Sequence, residues 1–339
     1  MSFAYSFFNA LKKEATSHDL LFYQPSRQKD LNTPRRIWWE AVELPWKAEH
    51  DKVDLIYSPG FSPPPRGNFK KVVTVHDLIG LIYPKNVRSI SRWYWSSWLP
   101  QNIQRADTLV ASSESTRRDL EKYLKIPASR IQVVPLAADP AFRKINDTSS
   151  VDQVLAGYHL KKPYILAVGT LEPRKNSLRL LQAFCEVSKK IKDLQLVFAG
   201  KDAGMEESLR RAIRENALEE RVRLLGYVPD EDLVCLYNGA LGYVMISLYE
   251  GFGLPALEAM ACGRSGIVSR VSSLPEVVGD TALQVDPENT DEIAAAIRDL
   301  VSNDSLINKM EREAYERSKQ FSYTKTARAM LNIFRKTVE

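Results

Sequence analysis

The sequence lacks the features that mark several classes of protein. No apolar run approaches the ~20 residues needed to span a bilayer. The apolar stretch from Phe3 to Leu11 has no basic leader and is followed by charged residues, so it predicts one face of a helix rather than a signal peptide. The three cysteines form no C-x-x-C pair and the four histidines no H-E-x-x-H motif. These absences exclude a disulfide framework, a zinc ribbon and a thioredoxin-type site, and they argue against a catalytic zinc. We expect a cytoplasmic protein in a reducing compartment.

The length and the charge distribution indicate two different halves. A chain of 339 residues exceeds one comfortable core, so two domains are expected. Residues 1–155 carry 22 Lys and Arg against 16 Asp and Glu, whereas the remainder carries 25 against 26. The net charge of +5 is too modest, without a stacking motif, to favour a nucleic-acid partner.

The tryptophans are all in the basic first half. They are Trp38, Trp39, Trp46, Trp93, Trp95 and Trp98. A basic, aromatic surface suits an anionic partner, so the segments 35–39 and 88–105 predict a peripheral membrane contact. The alternative is that most of the tryptophans belong to the core, and we favour it for most of them.

The second half alternates short apolar strands with helices. Strands are predicted at 164–168, 194–199, 222–225, 241–246, 265–269 and 282–285. This alternation predicts a parallel sheet with helices on both faces. The first half shows weaker strands at 54–57, 71–75, 108–111 and 131–134. The fold class is therefore α/β, with two doubly wound domains that face a cleft and ligands at the carboxyl ends of the strands.

Local signals predict details of the connections. The polar, turn-rich segment 146–150 places the domain boundary near 140–162. Asn289 and Glu292 have the spacing of a capping box, and Asp230 predicts the N-cap of another helix. The proline-rich segment 62–67 predicts a rigid, exposed loop.

A glycine loop between a predicted strand and a predicted helix is the most informative segment. Residues 249–263 have the sequence YEGFGLPALEAMACG. Glycine lets the backbone approach a ligand, and the first N–H groups of a helix bind anions such as phosphate. Glu250 precedes the loop, and Glu258 lies about one turn into the helix. A carboxylate would repel phosphate, so Glu258 is expected to accept hydrogen bonds from a ribose diol. The alternative is a tight turn with a surface glutamate.

A second strand-to-helix loop carries two adjacent cations. Residues 169–176 have the sequence GTLEPRKN, in which Arg174 and Lys175 follow a predicted strand. At that position they could neutralise a pyrophosphate and stabilise it as a leaving group. A solvated basic pair is the more ordinary outcome for two adjacent cations, but their position at the same sheet edge as the glycine loop favours a functional role.

Together these segments resemble the retaining glycosyltransferases of family 4, which have the GT-B fold. The resemblance rests on the E-x7-E spacing of Glu250 and Glu258, on the loop 169–176, on Gly226-Tyr227-Val228-Pro229 and on the segment 272–277. It covers residues 35–338. Within the family, GTLEPRKN is most similar to mannosyltransferases that build bacterial polysaccharides and O-antigens.

The resemblance implies a division of labour. Residues 1–155 would form an acceptor-binding Rossmann-like domain that is short at its N-terminus. Residues 156–322 would form a Rossmann-like domain for a nucleoside diphosphate sugar, with GDP-mannose favoured. Residues 323–339 would form a helix that crosses back to the first domain. A glycan or lipid-linked molecule would be the acceptor, and neither a cofactor nor a metal would be required.

The resemblance also implies a role for each site residue. The backbone of Val228 would contact the base, and Glu258 would hold the ribose. The diphosphate would be held by Arg174, Lys175 and the amides of Phe252, Gly253 and Leu254. Glu250 would lie near the sugar and the α-phosphate. His76, at the end of a strand of the first domain, would face the donor sugar.

The chain departs from the family at its start. The family begins with a strand and a glycine-rich loop, whereas this sequence begins in the helix that follows. Loss of a central strand should cost more than the ~5–15 kcal/mol that stabilises a typical domain. A non-catalytic or truncated nucleotide-binding paralogue is therefore an alternative. A sugar-nucleotide epimerase ranks lower, because it would not need the E-x7-E and GTLEPRKN combination.

Overall fold

The computed structural model describes residues 3–16, 18–25, 33–60, 62–83 and 93–339. The helices are α1 (Phe3–Glu14), α2 (Thr33–Trp38), α3 (Leu44–His50), α4 (Ile79–Ile82), α5 (Leu99–Gln104), α6 (Glu114–Leu124), α7 (Thr148–Gly157), α8 (Ser177–Ser188), α9 (Glu206–Glu215), α10 (Asp230–Gly239), α11 (Leu254–Ala261), α12 (Leu274–Val278), α13 (Thr290–Ser302), α14 (Asp304–Ser318) and α15 (Tyr323–Val338). The strands are β1 (Leu55–Ser58), β2 (Lys70–Val75), β3 (Thr108–Ala111), β4 (Ile131–Val133), β5 (Tyr164–Val168), β6 (Gln195–Ala199), β7 (Val222–Leu224), β8 (Gly242–Met245), β9 (Gly266–Ser269) and β10 (Leu283–Val285). Within these residues, the segments Trp39–Glu43 and Tyr94–Trp98 are π-helical, and Ala128–Arg130 and Pro173–Lys175 are 3₁₀ turns.

The chain forms two compact units. The first contains Ser2–Leu136 and Ser322–Glu339, and the second contains Ala137–Phe321. The division therefore falls before the polar segment 146–150, not at residue 155. The physical reason lies in α7, because Val151 and Leu155 are buried in the core of the second unit, where α7 packs against α10. The polar segment, whose last three residues begin α7, thus lies inside that unit.

In the described residues of the first unit, four parallel strands form a sheet. Its strand order is β1-β2-β3-β4, and Val73 of β2 pairs with Leu109 of β3 at its centre. Helix α15 packs against α1 and β2, which brings Thr337 Oγ1 within 2.9 Å of Thr108 Oγ1. The predicted apolar face of α1 is confirmed by the burial of Phe7 and Leu11. The first strand of the described residues is β1, which follows α1, α2 and α3.

Two helical segments of the first unit contain a π-helical turn directly before a Leu-Pro pair. The amides of Leu44 and Leu99 each donate to a carbonyl five residues earlier, on Trp39 and Tyr94. The proline that follows each leucine has no N–H, and its ring would clash with a carbonyl four residues back in an α-helix. A wider turn removes that clash. These turns were not predicted from the sequence.

The two π-helical turns meet at a buried carboxylate. Glu40, in the first turn, accepts a hydrogen bond from Arg36 Nε at 3.0 Å. Tyr94, the first residue of the second turn, donates to the other carboxylate oxygen of Glu40 at 3.5 Å. Burial raises the pKa of Glu40, although the attraction of Arg36 opposes the shift. This contact joins the helical segment 33–50 to the segment 93–104.

The second unit is a six-stranded parallel sheet with helices on both faces. Its strand order is β10-β9-β8-β5-β6-β7. One core contains Tyr164, Leu236 and Met260, and the other contains Phe184 and Ile297. The predicted alternation of strands and helices is confirmed. The chain runs outward from β5 to β7 and then returns to run outward from β8 to β10, so the topological switch point lies between β5 and β8.

Two of the predicted caps form differently from expectation. Asn289 Oδ1 accepts a hydrogen bond from the amide of Glu292 at 3.1 Å, as a cap requires. The Glu292 carboxylate, however, accepts from the amide of Asp286 at 3.1 Å and pairs with Arg270, so the reciprocal bond of a capping box is replaced. Pro229, not Asp230, is the N-cap residue of α10.

The predictions for exposure in the first unit need correction. The proline-rich loop was expected to be exposed, but Ser62, Pro63 and Pro64 are buried. The core interpretation of the tryptophans is right for Trp39, and Trp95 and Trp98 pack against the core. It is wrong for the remaining three, which are more than half exposed: Trp38, Trp46 and Trp93. Of the basic aromatic segment 88–105, residues 88–92 lie outside the described residues. Within the described part of the chain, no helix has both the length and the apolar character that a membrane span requires.

Candidate functional site

The switch point of the second unit brings the two loops singled out from the sequence side by side. Strands β5 and β8 are neighbours, with Ile165 paired to Gly242. The loop 169–176 follows β5 and the loop 246–253 follows β8, so both lie at the carboxyl edge of the sheet. The amide of Leu248 donates to the carbonyl of Arg174 at 2.9 Å, which ties the loops together. Open parallel sheets commonly bind ligands at this position.

An ionic cluster joins these loops. Lys175 Nζ lies 2.7 Å from Glu250 Oε1, and Arg174 Nη1 lies 3.1 Å from the same oxygen. The side chains of Arg174, Lys175 and Glu250 are only 8%, 15% and 9% exposed. Arg174 also pairs with Glu172 and donates to the carbonyl of Tyr249 at 2.6 Å. The structure therefore places three of the predicted site residues in direct contact.

The charges of the cluster stabilise one another. Burial alone would raise the pKa of Glu250, but the attraction of Lys175 and Arg174 outweighs it and lowers that pKa. Burial opposes the charge of Arg174, yet Glu250 and Glu172 raise the pKa of its guanidinium. The carboxylate of Glu250 and the guanidinium of Arg174 are thus both ionised at neutral pH.

The backbone of the loop 169–176 is shaped to place the two cations. Gly169 has φ +140°, and a Cβ there would lie 3.3 Å from Lys175 Nζ. Asn176 has φ +61° and donates from Nδ2 to the carbonyl of Pro287 at 2.6 Å. Asn176, whose backbone lies in the left-handed region, therefore ends the 3₁₀ turn Pro173–Lys175. Its side-chain amide anchors that turn to the loop that contains Pro287.

Two serines hold the glycine loop. Ser272 Oγ accepts from the amide of Glu250 at 2.9 Å. The hydroxyl of Ser273, which is fully buried, lies 2.9 Å from the carbonyl oxygen of Glu250 and 2.8 Å from that of Phe252. Gly253 has φ +105°, and a Cβ there would lie 2.6 Å from Leu274 Cδ2. Only glycine suits that position at the start of α11.

Helix α11 begins directly after this loop. The amides of Ala256 and Leu257 donate to the carbonyl of Gly253 at 3.0 and 3.3 Å. Three amides are predicted to hold phosphate, and all of them precede Ala256 in the chain. They belong to Phe252, Gly253 and Leu254. They lie at the N-terminus of a helix, where the dipole favours an anion.

Glu258 is the second carboxylate of the predicted site, and its environment is acidic. Tyr237 Oη, fully buried in α10, donates to Glu258 Oε2 at 3.4 Å. Burial raises the pKa of Glu258 to about 7, Tyr237 opposes the shift, and Asp230 and Asp139 add to it. Val228, the predicted contact of the base, is buried and lies two residues before the start of α10.

His76 is the predicted site residue of the first unit. It follows β2 and is partly buried, and its Nε2 lies 2.8 Å from the carbonyl oxygen of Pro59. Its own carbonyl accepts from Ser112 Oγ at 2.8 Å and Thr116 Oγ1 at 3.0 Å. Burial lowers the pKa of the ring, and the hydrogen bond with Pro59 opposes this shift. The other predicted site residues all belong to the second unit.

The described residues contain no group of three or more His, Cys, Asp or Glu side chains arranged to hold a metal ion. Asp230 and Asp232 have D-x-D spacing in the first turn of α10. Asp232, however, accepts a hydrogen bond from Tyr158 Oη at 2.7 Å.

Several residues that build the site were not singled out from the sequence. Glu172 lies within GTLEPRKN and could have been noticed as a carboxylate two residues from Arg174. Asn176 ends the same motif. Tyr237 gave no signal, and Ser273 was noted only as part of the segment 272–277. Their contacts depend on which helix and which loop fold over the switch point.

The sequence matches two families of known proteins. Residues 156–317 match the family "Glycosyl transferases group 1" and residues 12–142 match "Glycosyltransferase Family 4". The chain is 33% identical to an O-antigen chain mannosyltransferase B of Escherichia coli, over 89% of this chain and 77% of that protein. It is 28% identical to the serotype-specific mannosyltransferase WbdA of Escherichia coli, over 80% of this chain but only 34% of that longer protein.

A solved structure with the same fold is Anabaena Alr3699/HepE in complex with UDP. The TM-score is 0.71 at 17% sequence identity, over 87% of this chain and 81% of that chain. At this identity the likeness shows the fold. Together with the two parallel sheets, it confirms the predicted GT-B architecture.

Proposed function

The chain belongs to the family 4 glycosyltransferases, and from this premise we propose that it transfers mannose from GDP-mannose to a glycan or lipid-linked acceptor in O-antigen synthesis. The observation that carries the proposal is the buried cluster of Arg174, Lys175 and Glu250 at the switch point of the second unit. Mannose as the sugar is supported by the relatives, whose names describe mannosyltransferases. Membership of this family also removes the epimerase alternative.

The donor would occupy the carboxyl edge of the second unit. A diphosphate fits the two cations together with the helix N-terminus at Phe252, Gly253 and Leu254. Glu258 would accept hydrogen bonds from the ribose hydroxyls, and the backbone of Val228 would contact the base. A nucleoside diphosphate in this fold has a precedent in the Anabaena protein, whose structure contains UDP.

The reaction would proceed with retention of configuration and without a metal. The bond between the sugar C1 and the diphosphate oxygen breaks, and the electron pair stays with the diphosphate. Arg174 and Lys175 offset the charge that develops there. The acceptor hydroxyl attacks C1 from the same face, and its proton passes to a diphosphate oxygen. The family resemblance assigns His76 a role near the donor sugar, and burial lowers the pKa of its ring.

Transfer assays test this proposal. GDP-mannose, UDP-glucose and ADP-glucose are each offered with a lipid-linked oligosaccharide acceptor, with and without EDTA. We expect transfer from GDP-mannose that persists in EDTA. Lys175→Ala should lower kcat roughly 100-fold, whereas Lys189→Ala, an exposed lysine of the same unit, should leave it unchanged. Transfer from a different nucleotide sugar would refute the donor. Nucleotide binding without any transfer would favour the non-catalytic alternative.

We further propose that the first unit contacts an anionic membrane surface. An exposed stripe runs along the helical segment 33–50, where Trp38, Val42 and Trp46 recur at every fourth position with 57%, 42% and 66% exposure. The first unit carries 24 Lys and Arg against 14 Asp and Glu, a net +10, whereas the second unit has 23 against 28. Tryptophan favours the interface of a bilayer, and the positive charge favours anionic lipid. A lipid-linked acceptor would be found there.

Flotation with vesicles tests the membrane contact. The chain should float with vesicles that contain phosphatidylglycerol at low salt and should not float with phosphatidylcholine alone. The double variant Trp38→Ala, Trp46→Ala should lose most of the binding. Tyr123→Ala, which removes an exposed aromatic of the same unit, is the matched control. Unchanged flotation of the double variant would refute the role of this stripe.

A further inference from the structure

The ionic cluster at the switch point is electrically balanced. Arg174 and Lys175 supply two positive charges, and Glu172 and Glu250 supply two negative charges. The two carboxylates have different partners. Glu172 pairs with Arg174, whereas one oxygen of Glu250 is shared by both cations, at 3.1 and 2.7 Å. The groups expected to hold a diphosphate are therefore already neutralised by the protein.

A diphosphate cannot simply be added to this arrangement. The diphosphate of a nucleotide sugar has about two negative charges, so its addition would leave four negative charges around two cations. Like charges at close range are strongly unfavourable where water is excluded. One carboxylate must therefore leave the cations when the ligand arrives.

Glu250 is the carboxylate suited to leave. Its backbone is fixed by Ser272 and Ser273, so a rotation of the side chain can withdraw the carboxylate while the loop stays in place. The buried Arg174 Nε has no hydrogen-bond partner among the described residues, so the cluster leaves one donor unused. A phosphate oxygen in place of Glu250 would give the cations new acceptors.

We propose that Glu250 is the internal counter-ion of Arg174 and Lys175, and that the diphosphate of the donor displaces its carboxylate from both cations. The inference rests on the proposed function, because it requires a diphosphate ligand at this site. Before the donor binds, Glu250 and Glu172 together balance the charge of the two nearly buried cations. When it is displaced, its carboxylate becomes available to the sugar that the same donor brings.

The inference predicts that removing the Glu250 charge strengthens diphosphate binding and weakens catalysis. Isothermal titration calorimetry at pH 8 would compare GDP and inorganic pyrophosphate on the wild type and Glu250→Gln. We expect the dissociation constants of both ligands to fall roughly tenfold, the effect of relieving one close charge interaction, while kcat falls. Pyrophosphate has no ribose or base, so its response isolates the diphosphate contacts.

Two further variants complete the experiment. Glu250→Asp shortens the side chain so that one oxygen cannot reach both cations, and it should also bind more tightly. Glu311→Gln removes a carboxylate that pairs with Arg264 at 3.0 Å elsewhere in the same unit, and it should bind as the wild type does. Thermal melts establish that each variant is folded.

The outcomes separate the inference from the proposed function. Weaker or unchanged binding by folded Glu250→Gln and Glu250→Asp, with normal binding by the wild type, would overturn the counter-ion role, because Glu250 would then be part of the diphosphate receptor. Absence of binding by the wild type to GDP, UDP and ADP would overturn the proposed function itself. Tighter binding by both variants, with Glu311→Gln unchanged, supports the inference.

Discussion

Replacing Glu258 with glutamine should change how the stability of the second unit depends on pH. Burial raises the pKa of Glu258 from 4.5 to about 7, and the nearby Asp230 and Asp139 contribute. In the unfolded chain the carboxyl returns to its ordinary pKa. Between about pH 4.5 and pH 7 the folded protein therefore binds more protons than the unfolded chain, so its stability falls as the pH rises. Because glutamine cannot titrate, the stability of the variant lacks this part of the pH dependence.

The size of the effect follows from the shift. A difference of about 2.5 pKa units at 1.36 kcal/mol each corresponds to about 3 kcal/mol. In a unit of this size each kcal/mol moves Tm by roughly 2–4 °C. The Tm of Glu258→Gln minus the Tm of the wild type should therefore increase by roughly 6–12 °C as the pH rises from 4.5 to 8.

Differential scanning calorimetry across this pH range measures the effect in the transition of the second unit. The same variant should bind GDP more weakly at pH 8, because a neutral amide accepts hydrogen bonds from the ribose less strongly than a carboxylate. Wild-type affinity should increase as the pH rises through 7. Parallel curves of Tm against pH for the two proteins would refute the reasoning, since Glu258 would then titrate normally.

Two other predictions concern the backbone and the ionic cluster. Gly200→Ala should destabilise the second unit by more than about 3 kcal/mol, because its Cβ would overlap the carbonyl of Gly169. Chemical denaturation measures the change. Gly157→Ala, at the end of α7 with open space around it, should be neutral or stabilising by up to about 1 kcal/mol. Equal losses of unfolding free energy in the two variants would contradict the packing argument. Lys175→Met should cost about 2–4 kcal/mol, because it removes one partner of a nearly buried ion pair. In a double-mutant cycle with Glu250→Gln the two losses should couple by at least about 1 kcal/mol, and strict additivity would contradict the contact.

The fold of the second unit could be predicted from the sequence because each element carries its own local signal. β5 spans 164–168, as predicted, and the helix predicted after the glycine loop is α11. The strand order could not be predicted, because a parallel sheet with the same elements can be assembled in several orders. The switch point between β5 and β8, which explains why the two loops meet, is a property of that order.

The sequence singled out Arg174, Lys175 and Glu250, but it did not predict the contacts between their charges. From the sequence, Arg174 and Lys175 were assigned to the diphosphate, and Glu250 was placed near the sugar and the α-phosphate. That Glu250 pairs with both cations could not be predicted, because the contact between Lys175 and Glu250 spans 75 residues of sequence. The contact of Tyr237 with Glu258 was missed for the same reason.

The first unit was harder to predict because its signals compete. The tryptophans at 38, 39 and 46 are close in sequence, and only their place on a helix decides which of them are buried. The Leu-Pro pairs indicate a disturbance of the helix, but they do not say whether the helix ends or widens. The polar segment 146–150 is typical of a linker. Its last three residues begin α7, however, and the buried face of that helix places the segment inside the second unit.

The central claim is that the switch point of the second unit binds a nucleoside diphosphate through Lys175 and its neighbours, and nucleotide-dependent melting tests it most directly. A ligand at 100 times its dissociation constant adds about 2.7 kcal/mol, or roughly 5–11 °C in a unit of this size. We predict such a shift with GDP for the wild type and for Lys189→Ala, and its loss in Lys175→Ala. A cooperative melt of the wild type that no nucleoside diphosphate shifts, or an equal shift in Lys175→Ala, would contradict the account.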